Sequence, residues 1–239
     1  MKYVFFGLLL TAVLNWASPV AAAPMSYTVD PAESVFAVIT HKAGVAARLA
    51  HNHLIAPRTY SCEIGNAQDS IKSLTFTMSF PVKELAADLP ESQKKWYPAI
   101  KALAILDTPF SEIDESDRTT IEEHMLAEGQ LDAEQFPEIK VELVSIESAQ
   151  STHGEKTFND AATIRFTVHG KTVERAMPAN IELTDDTLRV EATGQFRFTE
   201  FGIEPYSAFL GAVRNRDEFD VYVHIRAYPE TGTEQAPSR

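Results

Sequence analysis

A histidine pair is the first group of residues whose types and spacing could do chemistry. His51-Asn52-His53 is an H-x-H triplet beside a predicted strand. Side chains at positions i and i+2 of a strand project from the same face, so both imidazoles could reach one zinc or copper ion. A closed zinc site needs four ligands, and no spacing forces His41, His124 or nearby carboxylates to join the pair. The pattern therefore favours a hydrogen-bonded polar pair, with a metal site as the alternative.

Signatures of the common enzyme classes are missing from the sequence. It contains no G-x-S-x-G elbow, no Gly-rich phosphate loop and no H-E-x-x-H. Cys62, the one cysteine, permits no internal disulfide and has no evident histidine base beside it in sequence. We therefore predict a binding protein and not an enzyme.

Phenylalanine provides the largest candidate group. Of the 14 Phe in the chain, 12 lie beyond residue 22, and many fall on alternating positions. A single Phe is best explained as core, but the set could line one cavity. A barrel of about eight strands is just wide enough to be filled by side chains or to hold one slim ligand, and the sequence leaves both options open. The candidate ligand-binding residues are Phe36, Phe76, Met78, Phe80, Phe166, Val168, Phe196, Phe198 and Phe219.

Alternation of apolar and polar residues predicts the strands that would position these groups. The clearest runs are 74–80, 164–168, 188–192 and 219–226, with further strands at 27–30, 34–41, 58–64, 139–147, 178–184 and 195–199. A period of two places alternate residues on one sheet face. Asp185-Asp186 is typical of a hairpin turn, and His169 and His224 are expected on polar strand faces. So many alternating strands predict a mainly β, antiparallel barrel or sandwich.

One segment, residues 83–129, has helical spacing instead. Ser116 or Asp117 is expected to cap a helix that Gly129 ends. The inner face of this helix would carry Ile121, Met125 and Leu126. Three prolines between residues 90 and 109 predict that any earlier helices are short. The excursion could be a lid or flank of a binding site, or a plain packing element.

The first 22 residues have the pattern of an export signal. Lys2 precedes the apolar run Val4–Leu14, and the small residues Val20-Ala21-Ala22 follow. The run is shorter than the roughly 20 residues of a membrane-spanning helix. We therefore expect cleavage after Ala22, a periplasmic product and no stable membrane insertion after cleavage. An uncleaved membrane anchor is the alternative.

Charge and length limit the partners and the domain count. The net charge is −13, and −14 once Lys2 is removed with the leader. Such a surface repels nucleic acid and disfavours adhesion to anionic lipid headgroups. Residues 23–229 are expected to form one β domain, and the polar residues 230–239 a disordered tail. The sequence leaves the oligomeric state open, a homodimer included.

Four segments, in order along the chain, carry a family resemblance. They are Tyr27-Thr28-Val29-Asp30-Pro31 with Ser34 and the strand Phe36–Thr40; Met125–Ile139, with Phe136-Pro137-Glu138-Ile139 at its end; Phe166-Thr167-Val168-His169-Gly170-Lys171-Thr172; and Phe201-Gly202-Ile203 with Pro205-Tyr206-Ser207 and Asp217-Glu218-Phe219-Asp220-Val221. From about Tyr27 to Tyr228 the chain resembles the YceI-like periplasmic proteins.

The resemblance implies a fold and a function. The fold would be an extended, lipocalin-like antiparallel barrel of about eight strands with an elongated apolar tunnel. The function would be a periplasmic carrier that binds an apolar, lipid-like molecule, such as a polyprenyl phosphate or a quinone tail. A metal- or redox-linked accessory protein that uses His51 and His53 is the alternative function.

Overall fold

The computed structural model describes residues 25–67 and 70–230. The predicted leader and residues 231–239 of the predicted tail lie outside these ranges. The strands are β1 (Met25–Val29), β2 (Val35–Ala43), β3 (His53–Pro57), β4 (Ser61–Asn66), β5 (Leu74–Pro81), β6 (Leu85–Ala87), β7 (Glu138–His153), β8 (Lys156–Val168), β9 (Lys171–Leu183), β10 (Leu188–Arg197), β11 (Ser207–Ala208) and β12 (Val213–Pro229). The helices are α1 (Pro90–Ala102) and α2 (Glu115–Leu126).

Eight of these strands close into an antiparallel barrel. The ring order is β1, β4, β5, β7, β8, β9, β10 and β12, and β12 pairs back onto β1. β12 is 17 residues long. Its last residues pair with β1, whereas its earlier residues also pair with β2, so β2, β3 and β6 extend the wall beside the first part of β12. The structure confirms the mainly β, lipocalin-like antiparallel barrel with a helical excursion.

Alternation along the strands sets the two faces of the wall. In β5, Met78 and Phe80 are buried inside the barrel, whereas Thr77, next to Met78, is exposed. Two hairpin turns set the register of β8, β9 and β10. Asp185-Asp186 lies in the turn between β9 and β10, as predicted. His169 and Gly170 form the two-residue turn between β8 and β9, both with positive φ, which matches the primed turns that hairpin twist favours.

Several strand predictions differ from the structure. The run predicted at 58–64 begins only at Ser61, and the run at 195–199 is the end of β10 followed by a 3-10 turn at Phe198–Phe201. The short strands β3, β6 and β11 were missed, because two to five residues are too few for alternation to stand out. His169 lies in a turn and not on a strand face.

α1 packs against the outside of the barrel. Its buried residues Trp96 and Ile100 join a cluster with Ile39 of β2 and Tyr222 of β12. This face of β12 is therefore covered, which corrects the prediction that His224 lies on a polar face: it is half-buried, with its ring 5.1 Å from the ring of Trp96. α1 has 13 residues, longer than predicted, because burial of this apolar stripe outweighs the hydrogen bond lost at its internal Pro98.

α2 lies at the open end of the barrel. Its cap is Asp114, whose side chain accepts a hydrogen bond from the N–H of Asp117, so the predicted caps Ser116 and Asp117 are wrong. The helix ends at Leu126 and not at Gly129. The turn after α2 ends the helix before Gly129, because the N–H groups of residues 131 and 133 donate to the last helical carbonyls, those of residues 125 and 126. Within the described ranges, no helix has the length and apolar character needed to cross a membrane.

Candidate ligand-binding tunnel

The barrel encloses a cavity of about 310 Å³. Its wall includes Phe36 of β2, Met78 of β5, Phe166 of β8 and Phe196 of β10. The nine candidate residues from the sequence all lie on this wall: Phe36, Phe76, Met78, Phe80, Phe166, Val168, Phe196, Phe198 and Phe219. The sequence left open whether the barrel is filled or hollow, and the structure shows it hollow. A role of these residues in binding stays a prediction.

Two aromatic groups shape the cavity. Phe196 lies at the centre of one group, with its ring 4.9 Å from that of Phe166 and 5.9 Å from that of Phe219. In the other group, Phe36 is 6.1 Å from Phe76 and 5.3 Å from Tyr60. Aromatic side chains have few rotatable bonds, so such groups make a preformed wall that loses little conformational entropy when a ligand binds.

The chemistry of the wall is almost entirely apolar. Among the described residues that line the cavity there is no Asp, Glu, Lys or Arg. The polar residues on the wall are Thr40, His53, Thr75, His124, Gln130, Tyr206 and Asn215. An unpaired ionised group inside such a space would lose its hydration, so the cavity favours an uncharged, apolar guest.

The mouth of the cavity carries most of these polar side chains. The ring of His124, on α2, stacks on the ring of Tyr206 at 5.5 Å. Nε2 of Gln130 donates to the carbonyl of Glu204 at 3.0 Å, and the N–H of Asn215 donates to the carbonyl of Tyr206 at 2.9 Å. These contacts join α2 and the segment before β12 into one polar rim.

The excursion combines one helix beside the cavity with one helix that packs on the outer wall. α2 flanks the cavity through Ile121 and Met125, two of its three predicted inner-face residues, and Leu126 packs on an adjoining core cluster. It is held by Glu122, which accepts hydrogen bonds from Nη2 of Arg58 at 2.8 Å and from the N–H of Ala87 at 3.0 Å. α1, in contrast, is a packing element on the outer wall.

The histidine pair is divided between two environments. His53 lines the cavity, and its Nδ1 lies 2.6 Å from Oδ2 of the buried Asp88. The ring of His51 is 6.4 Å from that of His53, and Nδ1 of His51 is buried with no hydrogen-bond partner among the described residues. In the described part of the chain, no group of three or more His, Cys, Asp or Glu side chains could hold a metal ion, so the metal hypothesis gains no further ligands there.

Cys62 is poorly suited to nucleophilic chemistry. It is half-buried on β4, opposite Met78 of β5. Burial, reinforced by the nearby carboxylate of Glu63, raises the pKa of the thiol to about 12. The reactive thiolate is therefore scarce at neutral pH.

Sequence reasoning missed the polar rim as a feature of the site. His124 follows Ile121 by three residues on the same helix, so the helical spacing that identified the inner face could have found it. Tyr206 belongs to one of the segments that resemble the YceI-like proteins. No sequence pattern identifies Asn215 as a residue of the rim, because its position there depends on the pairing of β12 with β2.

Comparison with known proteins agrees with the geometry. The sequence profile of the YceI-like domain matches residues 27–227. The chain belongs to the YceI-like family. The matched range begins within β1 and ends within β12, so it covers nearly all of the barrel and both helices. No curated protein matches the sequence significantly.

Two solved structures are similar to this YceI-like protein. BcnA of Burkholderia cenocepacia has a TM-score of 0.54 and 11% identity, over 83% of this chain and 99% of that one. A polyisoprenoid binding domain from Saccharophagus degradans, implicated in plant cell wall breakdown, has a TM-score of 0.51 and 8% identity, over 86% of this chain and 99% of that one. At these identities the likeness shows the fold alone.

Proposed function

We propose that this YceI-like protein binds and carries an apolar chain, such as a polyisoprenoid or the tail of a quinone, in the barrel tunnel. The observation that carries the proposal is a preformed cavity with no Asp, Glu, Lys or Arg among its described lining residues. The similar domain from Saccharophagus degradans is a polyisoprenoid-binding one, which supports the same ligand class. We further propose a periplasmic location, from the predicted leader, and a binding role without catalysis.

Burial of the chain would supply the binding free energy. Each methylene moved from water into the tunnel contributes about 0.8 kcal/mol. Micromolar affinity corresponds to about 8 kcal/mol, so several buried isoprene units are enough even after the cost of ordering a flexible chain. The preformed aromatic wall keeps the protein's share of that cost low. The polar rim would then lie beside the polar end of the ligand.

Native mass spectrometry after gentle purification tests the ligand class. We expect a co-purified mass that is lost on extraction with organic solvent and that matches an isoprenoid or a quinone. A bound zinc or copper mass in its place would support the alternative accessory role of His51 and His53. Protein that binds no isoprenoid and no quinone, either from the cell or when supplied, would contradict the carrier function.

A substitution that fills the tunnel tests where the chain lies. Met78 is 3% exposed and lines the cavity, whereas its neighbour Thr77 on β5 is exposed on the outer face. We expect Met78→Trp to lower retention of a fluorescent isoprenoid at least about tenfold, because the indole occupies volume that the chain needs. Thr77→Trp adds the same group outside and should bind as the wild type does. Thermal unfolding of both variants establishes that they fold.

A further inference from the structure

The open end of the barrel bears an exposed apolar tip, made of Val45, Phe209 and Leu210. All three side chains are at least 82% exposed, whereas the next most exposed large apolar side chain in the described ranges, Val144, is 43% exposed. Large apolar groups that protrude together into solvent are unfavourable unless they contact something, and they often identify a binding surface.

The tip consists of two loops that are joined through their backbones. Val45 lies between Gly44 and Ala46, in the loop after β2. The N–H of Ala46 donates to the carbonyl of Ala212 at 2.9 Å, and a Cβ on Gly44 would lie 2.4 Å from that same oxygen. The loop that carries Phe209 and Leu210 is therefore in direct contact with the loop that carries Val45.

A strained backbone conformation presents the two larger side chains to solvent. Phe209 and Leu210 have φ values of 50° and 56°, in the left-handed region that bulky residues rarely adopt. Such a conformation is strained for these residues and persists only where the surroundings impose it. Here the pairing of β11 with β12 closes the hairpin, and it leaves both side chains without cover.

A basic rim surrounds the tip in an otherwise acidic protein. Residues 41–62 and 205–216 contain no Asp or Glu, although the chain has 34 of them. Arg48, Arg214 and Arg216 are exposed, and none forms an ion pair with another residue in the described ranges. The next acid along the chain, Asp217, is occupied by hydrogen bonds from the N–H and hydroxyl of Thr199. The two loops that carry the tip are therefore locally basic, although the neighbouring helix α2 is acidic, with Glu115, Asp117, Glu122 and Glu123.

The tip and the basic rim adjoin the mouth of the tunnel. Tyr206 and Asn215 line the cavity at the base of the hairpin that carries Phe209 and Leu210. Thr40 and His53 line it on the two sides of the loop that carries Val45. A flat partner that covered the tip would therefore also face the mouth.

We infer that the apolar tip and the basic rim dock this protein on an anionic phospholipid bilayer, with the tunnel mouth toward the membrane. Exposed apolar side chains flanked by cations fit the boundary between acyl chains and anionic headgroups. The total charge of the chain opposes adsorption, but the charges within a Debye length of the contact dominate the interaction. Exchange of a chain between bilayer and tunnel through this contact rests on the proposed function, whereas docking itself does not.

Sedimentation with lipid vesicles tests the docking. The protein is purified as exported, and its N-terminus is confirmed by mass spectrometry. We expect it to bind phosphatidylcholine vesicles that contain phosphatidylglycerol, more weakly as salt rises, and to bind pure phosphatidylcholine vesicles far less. Equal binding to both vesicle types, or binding to neither, would overturn the inference.

Paired variants separate docking from folding. Glycine suits the φ values at residues 209 and 210, so Phe209→Gly with Leu210→Gly should fold at least as well as the wild type but lose vesicle affinity about tenfold or more. Val144→Ser is the control for exposed apolar area elsewhere. Arg214→Gln and Arg216→Gln should each weaken vesicle binding roughly fivefold, whereas Arg189→Gln, on the opposite end of the barrel, should not.

A ligand assay on the same variants distinguishes this inference from the proposed function. Tip variants that keep a fluorescent isoprenoid added in solution but lose vesicle binding would support docking as a separate property. Arginine variants that lose retention of a polyprenyl phosphate, yet bind vesicles normally, would show that the basic rim serves the ligand and would overturn the inference.

Discussion

Nδ1 of His53 lies 2.6 Å from Oδ2 of Asp88, and this contact connects the tunnel wall to a buried carboxylate. Asp88 is 2% exposed, and its other oxygen accepts hydrogen bonds from the N–H of Leu54 at 2.9 Å and from Nε2 of Gln93 at 2.7 Å. Three donors therefore satisfy Asp88. With Nδ1 donating to Asp88, Nε2 is the ring atom of His53 left for the cavity.

His53 should matter for the polar end of a ligand and not for its apolar chain. His53→Phe keeps the ring volume and removes both Nε2 and the Nδ1 donor to Asp88, so thermal unfolding of the variant is measured beside binding. We expect it to weaken retention of a quinone or an isoprenoid alcohol by about threefold to tenfold, the value of one hydrogen bond, and to leave a headless isoprenoid hydrocarbon unaffected. Competition with a fluorescent isoprenoid measures both. An equal loss for the headed and headless ligands would show that the substitution only disturbs the wall.

The hairpin turn at His169-Gly170 should be intolerant of a side chain on its glycine. Gly170 has φ of 69°, and a Cβ there would lie 2.6 Å from the ring of Phe136. We expect Gly170→Ala to lower the free energy of unfolding by about 1–3 kcal/mol, through strain and this clash. Gly129→Ala is the matched control, because no atom lies within 4 Å of its Cβ position. Urea unfolding measures both, and equal midpoints would contradict the explanation.

His224 should make the protein less stable in mild acid. Burial beside α1 lowers its pKa below the usual 6.5, against the opposing effect of the Glu191 carboxylate. Below pH 6.5 the unfolded chain therefore binds this proton more readily than the folded chain does, so stability falls as pH falls through that window. Urea midpoints at several pH values should show a shallower dependence in His224→Gln. Identical slopes would mean that another group causes any loss.

Export should leave a product that begins at Ala23. The order of Lys2, the apolar run Val4–Leu14 and Val20-Ala21-Ala22 predicts cleavage after Ala22. N-terminal sequencing and intact mass of protein from the periplasmic fraction measure the cleavage site. An intact Met1 in the membrane fraction would favour the alternative of an uncleaved anchor.

The wall of the tunnel followed from sequence because it depends on local geometry. A period of two places Phe76, Met78 and Phe80 on one face of β5, whatever that strand pairs with. The same holds for Phe166 and Val168 on β8. Once the strands close into one barrel, their apolar faces must meet, and the nine candidates accordingly line one cavity. The family resemblance supplied the closure that alternation alone leaves open between barrel and sandwich.

Only the tertiary structure decided what surrounds and adjoins that wall. Volume is a property of the packed whole, so the hollow centre could not be read from residue types. Tyr222 and His224 alternate with the inward residues of β12 and looked exposed, but α1 covers them from more than a hundred residues away in the chain. Likewise, Val45 and Phe209 become one surface only because β2 pairs with β12, which brings together two loops more than 150 residues apart in the chain.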